Sequence, residues 1–369
     1  VGKLTVEIKN HEYDVHIGED AYSLFATAYA PLLDSADRVG IIADENVAEL
    51  HLPLLQEALR ETGREIVVKT VPAGENCKSP AVYIECQAFL LQHHFTRDSL
   101  LIAFGGGACG DLTGFVAGTF MRGIRYIQCP TTILAHDSAV GGKTAINMPE
   151  GKNMVGSFHQ PSGVLFQTGL FETLPAREIR SGMAELLKHA FISDEEWTDA
   201  LLANPAFSKP PVGWLATELL KGIEVKAQIV AEDEFEHSTR KFLNFGHTFG
   251  HAVEAVCGFG GLSHGECVMI GMAYSLILSE GQEGSIDQDV TDRFIRFALD
   301  NGYTFGPVHE HTFGEFLGYM EKDKKASFGR LNFVLLTEVG KPYVTELSKE
   351  QCEHAFDIMR ERTEGEPSQ

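Results

Sequence analysis

Short apolar runs recur through the first half of the chain, each stopping at a polar or turn-forming residue and separated from the next by a helical stretch. Val39 to Ala43 ends at Asp44, and Ile66-Val67-Val68 leads into Pro72-Ala73-Gly74-Glu75. Ser99 to Phe104 enters a glycine cluster, and Arg125 to Cys129 stops at Pro130. Runs this short and apolar suit strands buried on both faces of a parallel sheet. The helical segments between them, Leu54 to Glu61 with Pro53 at its start and Tyr83 to Gln92, supply the crossovers. Val1 to Ile8 alternates like one more strand.

From about Leu174 the helical period takes over, in Arg177–Ile192, Trp214–Ala231, Thr248–Val256, Cys267–Glu280 and Asp289–Asn301. Two late pieces, Asn332–Leu336 and Tyr343–Leu347, read as strands, and the proline-rich stretch from Asn204 to Pro211 reads as a loop between helices. The end, from Arg360 onward, reads as a frayed tail. The expectation is an α/β nucleotide-binding domain over residues 1–173 and a mostly α-helical domain over 174–369.

Charge narrows the partners. Against 30 Lys and Arg stand 52 Asp and Glu, a net −22 that repels nucleic-acid phosphates and anionic lipid. No apolar run approaches the roughly 20 residues needed to span a bilayer. Seven scattered cysteines without a C-x-x-C pair read as reduced thiols of a cytoplasmic protein. An anionic ligand would need the scarce cations gathered where it binds.

Gly105-Gly106-Gly107-Ala108-Cys109-Gly110 fits G-x-G-x-x-G between a strand and a helix, where glycine lets the backbone approach a pyrophosphate at a helix N-terminus. The acid expected about twenty residues later is missing. Asp44 precedes the glycines instead, so a dinucleotide site and a plain strand–helix turn both stand. Gly141-Gly142-Lys143-Thr144 looks like the end of a P-loop, but Asp137 occupies the place of its first glycine, which excludes that motif.

His247 and His251 stand at i and i+4 on one helical face, and His264 follows thirteen residues later. Neutral imidazoles suit Zn²⁺, and three protein ligands with an open position is the catalytic pattern. Thr248 replaces the glutamate of H-E-x-x-H, which removes a zinc-protease reading. Glu185 is either a fourth candidate ligand or a helix glutamate paired with Lys188 at i+3. Arg122, Lys143, Lys152, Lys188, Lys226, Arg240 and the pair Lys324-Lys325 sit beside glycines or polar residues, as cations gathered for a polyanionic small molecule would.

Over nearly its whole length the sequence resembles the 3-dehydroquinate synthases, within the sugar-phosphate cyclases. The resemblance is densest in the blocks 104–111, 126–132, 137–143, 151–154, 173–178, 184–188, 240–251, 264–266 and 323–325. It implies NAD on the α/β domain and a divalent metal, Zn²⁺ or alternatively Co²⁺, at the interdomain cleft. The implied metal ligands are Glu185, His247 and His264, with His251 beside them as an acid/base group. The implied NAD contacts are Asp44 at the adenosine ribose, Glu75 and Lys78, and Gly106, Gly107, Ala108, Cys109 and Gly110 at the pyrophosphate. Asp111, Thr131, Thr132, Asp137, Lys143, Lys152 and the turn Leu170, Phe171, Glu172 and Thr173 complete that set. Substrate phosphate would meet Arg122, Lys152, Asn153 and one of Lys324 and Lys325. A substrate carboxylate would meet Lys226, Arg240 and Asn244, with Lys143 and Lys188 nearby.

The implied reaction takes 3-deoxy-D-arabino-heptulosonate 7-phosphate to 3-dehydroquinate and phosphate. It runs through transient NAD-dependent oxidation, phosphate β-elimination, re-reduction, ring opening and aldol closure, and the implied assembly is a homodimer. Another sugar-phosphate cyclase, a metal-dependent polyol dehydrogenase and a non-catalytic relative are the competing expectations. Near His136 many relatives carry one more residue, which leaves the local loop geometry open.

Overall fold

The computed structural model describes residues 1–9, 11–60, 62–258, 261–282, 286–323 and 330–364, with the side chains of 322 and 323 left out. The chain divides into two compact units, Val1–Leu174 with Pro211–Ala231, and Pro175–Pro210 with Glu232–Gln369.

In the first unit the apolar runs are strands of one sheet. Its strands are β1 (Gly2–Ile8), β2 (His11–Gly18), β3 (Val39–Asp44), β4 (Ile66–Val71), β5 (Leu100–Gly105), β6 (Arg125–Pro130) and, after a separate hairpin, Val164–Gln167. That hairpin is formed by β7 (Lys143–Met148) and β8 (Gly151–Phe158), which makes Val164–Gln167 strand β9. The sheet order is β1-β2-β9-β6-β5-β3-β4, parallel except for the β1–β2 pair.

Every residue of β3 and β5 is buried, and their alternate side chains feed two cores. Ile41, Leu100, Ile102, Phe104 and Ile127 pack on one face with Leu55 and Leu59 of the helix Glu45–Arg60. Ile42, Leu101 and Tyr126 pack on the other with Leu90, Leu112 and Val116 of the helices Pro80–Gln92 and Gly107–Thr119. Each such aliphatic side chain contributes about 1.5–3 kcal/mol on burial, so this double-sided core fixes the strand register.

The helix after β3 begins at Glu45, not at Leu54. Asp44 Oδ1 accepts from the backbone N–H of Asn46 at 2.9 Å and of Val47 at 3.2 Å, which starts the helix directly at the strand end. Pro53 therefore lies inside the helix, on its exposed face, where the carbonyl it leaves unpaired meets water. Glu61 lies outside the described residues.

The second unit is built of helices. They are Ala176–Ser193, Glu195–Leu202, His247–Cys257, His264–Glu280, Gln288–Asp300, Gly306–Glu310, Phe313–Asp323 and Lys349–Arg362, with one antiparallel hairpin of β10 (Leu331–Glu338) and β11 (Lys341–Leu347). Two expectations change. The helix Val212–Glu232, read as part of the second domain, groups through Ala231 with the first unit. The segment read as a frayed tail is helical through Arg362, whose guanidinium grips Glu280 with two parallel bonds of 2.8 and 2.7 Å.

Candidate active site

The first unit gathers its polar residues at the C-terminal ends of the parallel strands. Successive strands turn to opposite sides between β3 and β5, the kind of switch point where open α/β sheets leave a ligand crevice. Asp44 ends β3 there and Gly105 ends β5. Side chains are excluded along the glycine turn. A Cβ on Gly105 would lie 2.7 Å from Cys109 Cβ, one on Gly107 2.6 Å from Ser138 Oγ, and one on Gly110 2.7 Å from Gln128 Oε1. Bare backbone therefore faces outward where the helix Gly107–Thr119 presents its N-terminal N–H groups. Beside it, Thr131 is 3% exposed and its hydroxyl is buried without a protein partner, as is that of Ser138. A glycine cradle with orphaned hydroxyls at a helix N-terminus fits a nucleotide pyrophosphate.

Several expected NAD residues already hold one another. Asp44 Oδ2 accepts from Gly74 N at 2.9 Å, which ties the turn carrying Glu75 and Lys78 to the end of β3. Glu75 accepts from Asn147 Nδ2 at 2.7 Å, and Asn147 Oδ1 accepts from Asn153 N at 3.0 Å. Lys78, 2% exposed, donates to Asp111 Oδ2 at 2.6 Å and to Asn153 Oδ1. Burial opposes its charge, but Asp111 and Glu75 outweigh that and hold the ammonium above its ordinary pKa. Lys226 reaches the carboxylate of Asp137 at 3.3 Å and its backbone carbonyl.

The rest of the set falls near the same strand ends. Thr131 N donates to Gly105 O at 3.0 Å, and Thr132 lies against Gly106. Leu170 and Phe171 are buried, Glu172 is exposed, and Thr173 Oγ1 meets His51 at 2.8 Å in the turn after β9. Ala108 is half-buried. Cys109 points into the core, its thiol bonded to the Ile42 carbonyl and pushed up to about 12 by burial, so only its backbone faces the turn. The short segment at His136 closes as one helical turn, Ala135–Ser138, with His136 fully buried on the Ile133 carbonyl.

Arg122 and Asn153, expected at phosphate, share an unusual backbone. Met121, Arg122 and Gly123 have successive φ values of 47°, 70° and 122°, and Asn153 has φ 58°. Left-handed backbone at non-glycine residues costs about 1–3 kcal/mol each and clusters at functional sites. Lys143 opens β7 and Lys152 lies at the start of β8. Lys324 and Lys325 lie outside the described residues.

In the second unit, three helices converge on one carboxylate. Glu185, from Ala176–Ser193, is fully buried. Its Oε1 lies 3.3 Å from His247 Nε2 and 3.2 Å from His264 Nε2. Its Oε2 lies 2.6 Å from the ammonium of Lys188, both side chains being 1% exposed. His251 stands beside them, with ring centroids 5.3 Å from His247 and 5.8 Å from His264, and the three imidazoles offer ligand atoms within 4.8 Å of one another. Glycines make the approach possible. A Cβ on Gly265 would overlap the Ser181 backbone, one on Gly271 would lie 2.8 Å from the carbonyl carbon of Gly246, and one on Gly250 would lie 3.0 Å from the Cys267 carbonyl oxygen.

Burial alone would raise the Glu185 carboxyl. Lys188, then His247 and His264, instead hold it well below the usual carboxylate range. Burial pushes His247 down to about 4 and so keeps it neutral. For His264 burial is outweighed by the hydrogen bonds that its ring donates to Glu185 and Glu254, which raise it to about 10.

One carboxylate and two imidazoles are the donors that suit a divalent transition metal. In a tetrahedron with donors about 2.1 Å from its centre, neighbouring donors are about 3.4 Å apart. The observed 3.2 and 3.3 Å match that edge, so the residues fit the ion. The periodicity argument, which selected all three histidines, and the resemblance, which put Glu185 in place of His251, both fall within this one cluster.

Arg240 and Asn244 lie on the turn that leads into the helix of His247. Arg240 is 2% exposed; its backbone N–H donates to Asp233 at 3.1 Å and its guanidinium to the Glu234 carbonyl. Asn244 donates to Glu236 Oε1 at 2.7 Å. Glu236, at φ 62°, and Glu254, on His264, are carboxylates that the sequence reading did not single out. Glu254 carried a signal, since it follows His247 by seven residues and His251 by three, on the same helical face.

The N-terminal model of 3-dehydroquinate synthase matches residues 68–181 and the C-terminal model residues 182–326. A protein of Lysinibacillus sphaericus (strain C3-41) named 3-dehydroquinate synthase is 49% identical over 359 residues, covering 97% of this chain and 98% of its own. One of Bacillus anthracis (strain CDC 684 / NRRL 3495) with the same name is 40% identical, covering 98% of each chain. Among solved structures, a 2-deoxy-scyllo-inosose synthase superposes with TM-score 0.85 at 24% identity, over 97% of this chain and 99% of that one. A 2-epi-5-epi-valiolone synthase from Streptomyces hygroscopicus subsp. jinggangensis 5008, with NAD⁺ and Zn²⁺ bound, gives 0.84 at 26%, over 96% and 99%. The fold is thus shared with neighbours of other activities, but full-length identity and both family models agree on one group, and the chain belongs to the 3-dehydroquinate synthase family.

Proposed function

We propose that this chain is a phosphate-eliminating carbon–oxygen lyase that converts 3-deoxy-D-arabino-heptulosonate 7-phosphate to 3-dehydroquinate and phosphate. The observation that carries the reading is one buried carboxylate oxygen, on Glu185, facing two imidazole nitrogens in a chain of this family. Glu185, His247 and His264 would hold a divalent metal, Zn²⁺ in this reading with Co²⁺ as the alternative. The glycine turn Gly106–Gly110, Asp44, Glu75, Lys78, Asp111, Thr131, Thr132, Asp137, Lys143, Lys152 and the turn at 170–173 would hold NAD. When bound, the metal supplies Lewis acidity toward a substrate hydroxyl, and NAD supplies a hydride acceptor that is restored within each turnover.

The protein's own groups supply binding, charge and proton transfer. Arg122, Lys152 and Asn153 take the substrate phosphate, the first two as cations and the third as an amide donor whose Oδ1 is held by Lys78. Arg240, Asn244 and Lys226 take the carboxylate end, with Lys143 and Lys188 near it, and Arg240 is suited to a bidentate grip. His251, beside the two ligand imidazoles, is the acid/base group. A cation set on phosphate and carboxylate distinguishes this reading from a polyol dehydrogenase, which has neither to bind. Filled positions at Glu185, His247, His251 and His264 speak against a non-catalytic relative.

The reading includes a homodimer in the cytoplasm. Seven free cysteines, six of them buried, support a reducing compartment. Among the described residues no helix is long and apolar enough to cross a membrane. The test is phosphate release from the heptulosonate phosphate with NADH absorbance followed in parallel. Stoichiometric phosphate with no net NADH is expected; net NADH formation without phosphate would assign a dehydrogenase instead.

A further inference from the structure

His264 is held at both ends of its ring. Nε2 faces Glu185 Oε1 at 3.2 Å, and Nδ1 faces Glu254 Oε2 at 3.2 Å. Glu254 lies on the helix His247–Cys257, one turn beyond His251, so the helix that carries one metal-facing imidazole also braces another. His247 is oriented differently, by the backbone carbonyl of Phe245 at 3.2 Å from its Nδ1. The backbone of His264 is fixed independently. It is the first residue of its helix, capped by Ser263 and Glu266, and Glu266 accepts from Arg180 Nε at 2.9 Å. The remaining freedom of His264 is rotation of its ring, and Glu254 is the group placed to stop it.

We propose that Glu254 is a positioning residue for the metal centre. By accepting Nδ1–H it selects the tautomer that leaves the Nε2 lone pair toward Glu185 and His247, and it increases the basicity of that nitrogen. A carboxylate behind a metal-bound imidazole commonly sets affinity by about 10–100-fold. This rests on the reading of Glu185, His247 and His264 as metal ligands.

The test is Co²⁺ titration of the metal-free protein, followed by visible absorption, for the parent, Glu254→Gln and Glu254→Ala. The expected result is Co²⁺ binding about 10–100-fold weaker in Glu254→Ala, with a changed Co²⁺ spectrum. Glu254→Gln, which keeps an acceptor but not the charge, should recover part of the affinity. A purely structural glutamate would lower the unfolding midpoint of the metal-free protein yet leave the Co²⁺ affinity and spectrum parental, and that result overturns the proposal. Should Glu254→Ala fail to fold, the nearly isosteric Glu254→Gln decides on the same two readouts. A parent that binds no Co²⁺ overturns the metal reading itself, whereas a variant that matches a Co²⁺-binding parent overturns only the role of Glu254.

Discussion

Glu185 and Lys188 form a buried ion pair whose geometry serves two purposes. The ammonium compensates a carboxylate that would otherwise be stranded, and it leaves Oε1 free to face the imidazoles. Removing one partner of a buried pair is costly because the other charge is left without compensation. Lys188→Ala should therefore destabilise the metal-free protein by about 3–5 kcal/mol in urea unfolding, and added Zn²⁺ should restore part of it by replacing the lost charge. A loss below about 1 kcal/mol would mean that Glu185 is not held by this pair. At this scale the sequence was half legible. The i+3 spacing offered the Glu185–Lys188 pair as one of two readings and the i+4 spacing showed the histidine face, but neither could show that the two meet. The left-handed backbones of Arg122 and Glu236 were not legible, because those residue types carry no signal for that region, whereas Asn153 is of a type that enters it more readily.

Among the elements, the close approach of three helices depends on glycine rather than on apolar bulk. Gly271→Ala would drive a methyl group into the backbone of Gly246 and Gly250, pushing apart the helices that carry His247 and His264. Overpacking of this kind costs about 1–3 kcal/mol, and here it should also weaken metal binding; a variant with parental stability and parental Zn²⁺ affinity would contradict this account of the site.

The turn before His247 is organised by Asp233. Its carboxylate accepts from the backbone N–H groups of His237, Ser238 and Arg240 at 2.9, 2.6 and 3.1 Å. Burial acts to raise its pKa, but those three bonds outweigh it and lower the value to about 2. A folded pKa below the unfolded value of about 3.9 means stability that is present above pH 4 and lost as the pH falls toward 2. Urea midpoints taken down through that window should fall more steeply for the parent than for Asp233→Asn; equal slopes would remove the turn from the acid response. In the first sheet β3, β4, β5 and β6 were legible as apolar runs, most clearly where burial on both faces leaves an unbroken pattern as in β3 and β5, and β1 was legible by alternation; β2 and β9 were not read. The start of the helix at Glu45 was not, since Pro53 looked like a boundary while the true start is set by the Asp44 side chain.

The whole molecule sets a net −22 against a substrate that is itself anionic. Eight of the 30 basic residues (Arg122, Lys143, Lys152, Lys188, Lys226, Arg240, Lys324 and Lys325) are the cations proposed for the anionic ligands, which leaves 22 against 52 acids. The chain does not simply run from one unit to the next. It leaves the first unit at Leu174, returns for Pro211–Ala231, and leaves again. Helical periodicity could not reveal the return, because it shows that Leu215, Leu219, Ile223 and Val230 form a buried face without saying what buries it. If Glu185, His247 and His264 bind a metal on which turnover depends, removing that metal must stop the reaction. The measurement that tests it is phosphate release by protein stripped with a chelator and shown metal-free by elemental analysis. Turnover should be lost and then restored by Zn²⁺ or Co²⁺, whereas full turnover by the stripped protein would contradict that dependence.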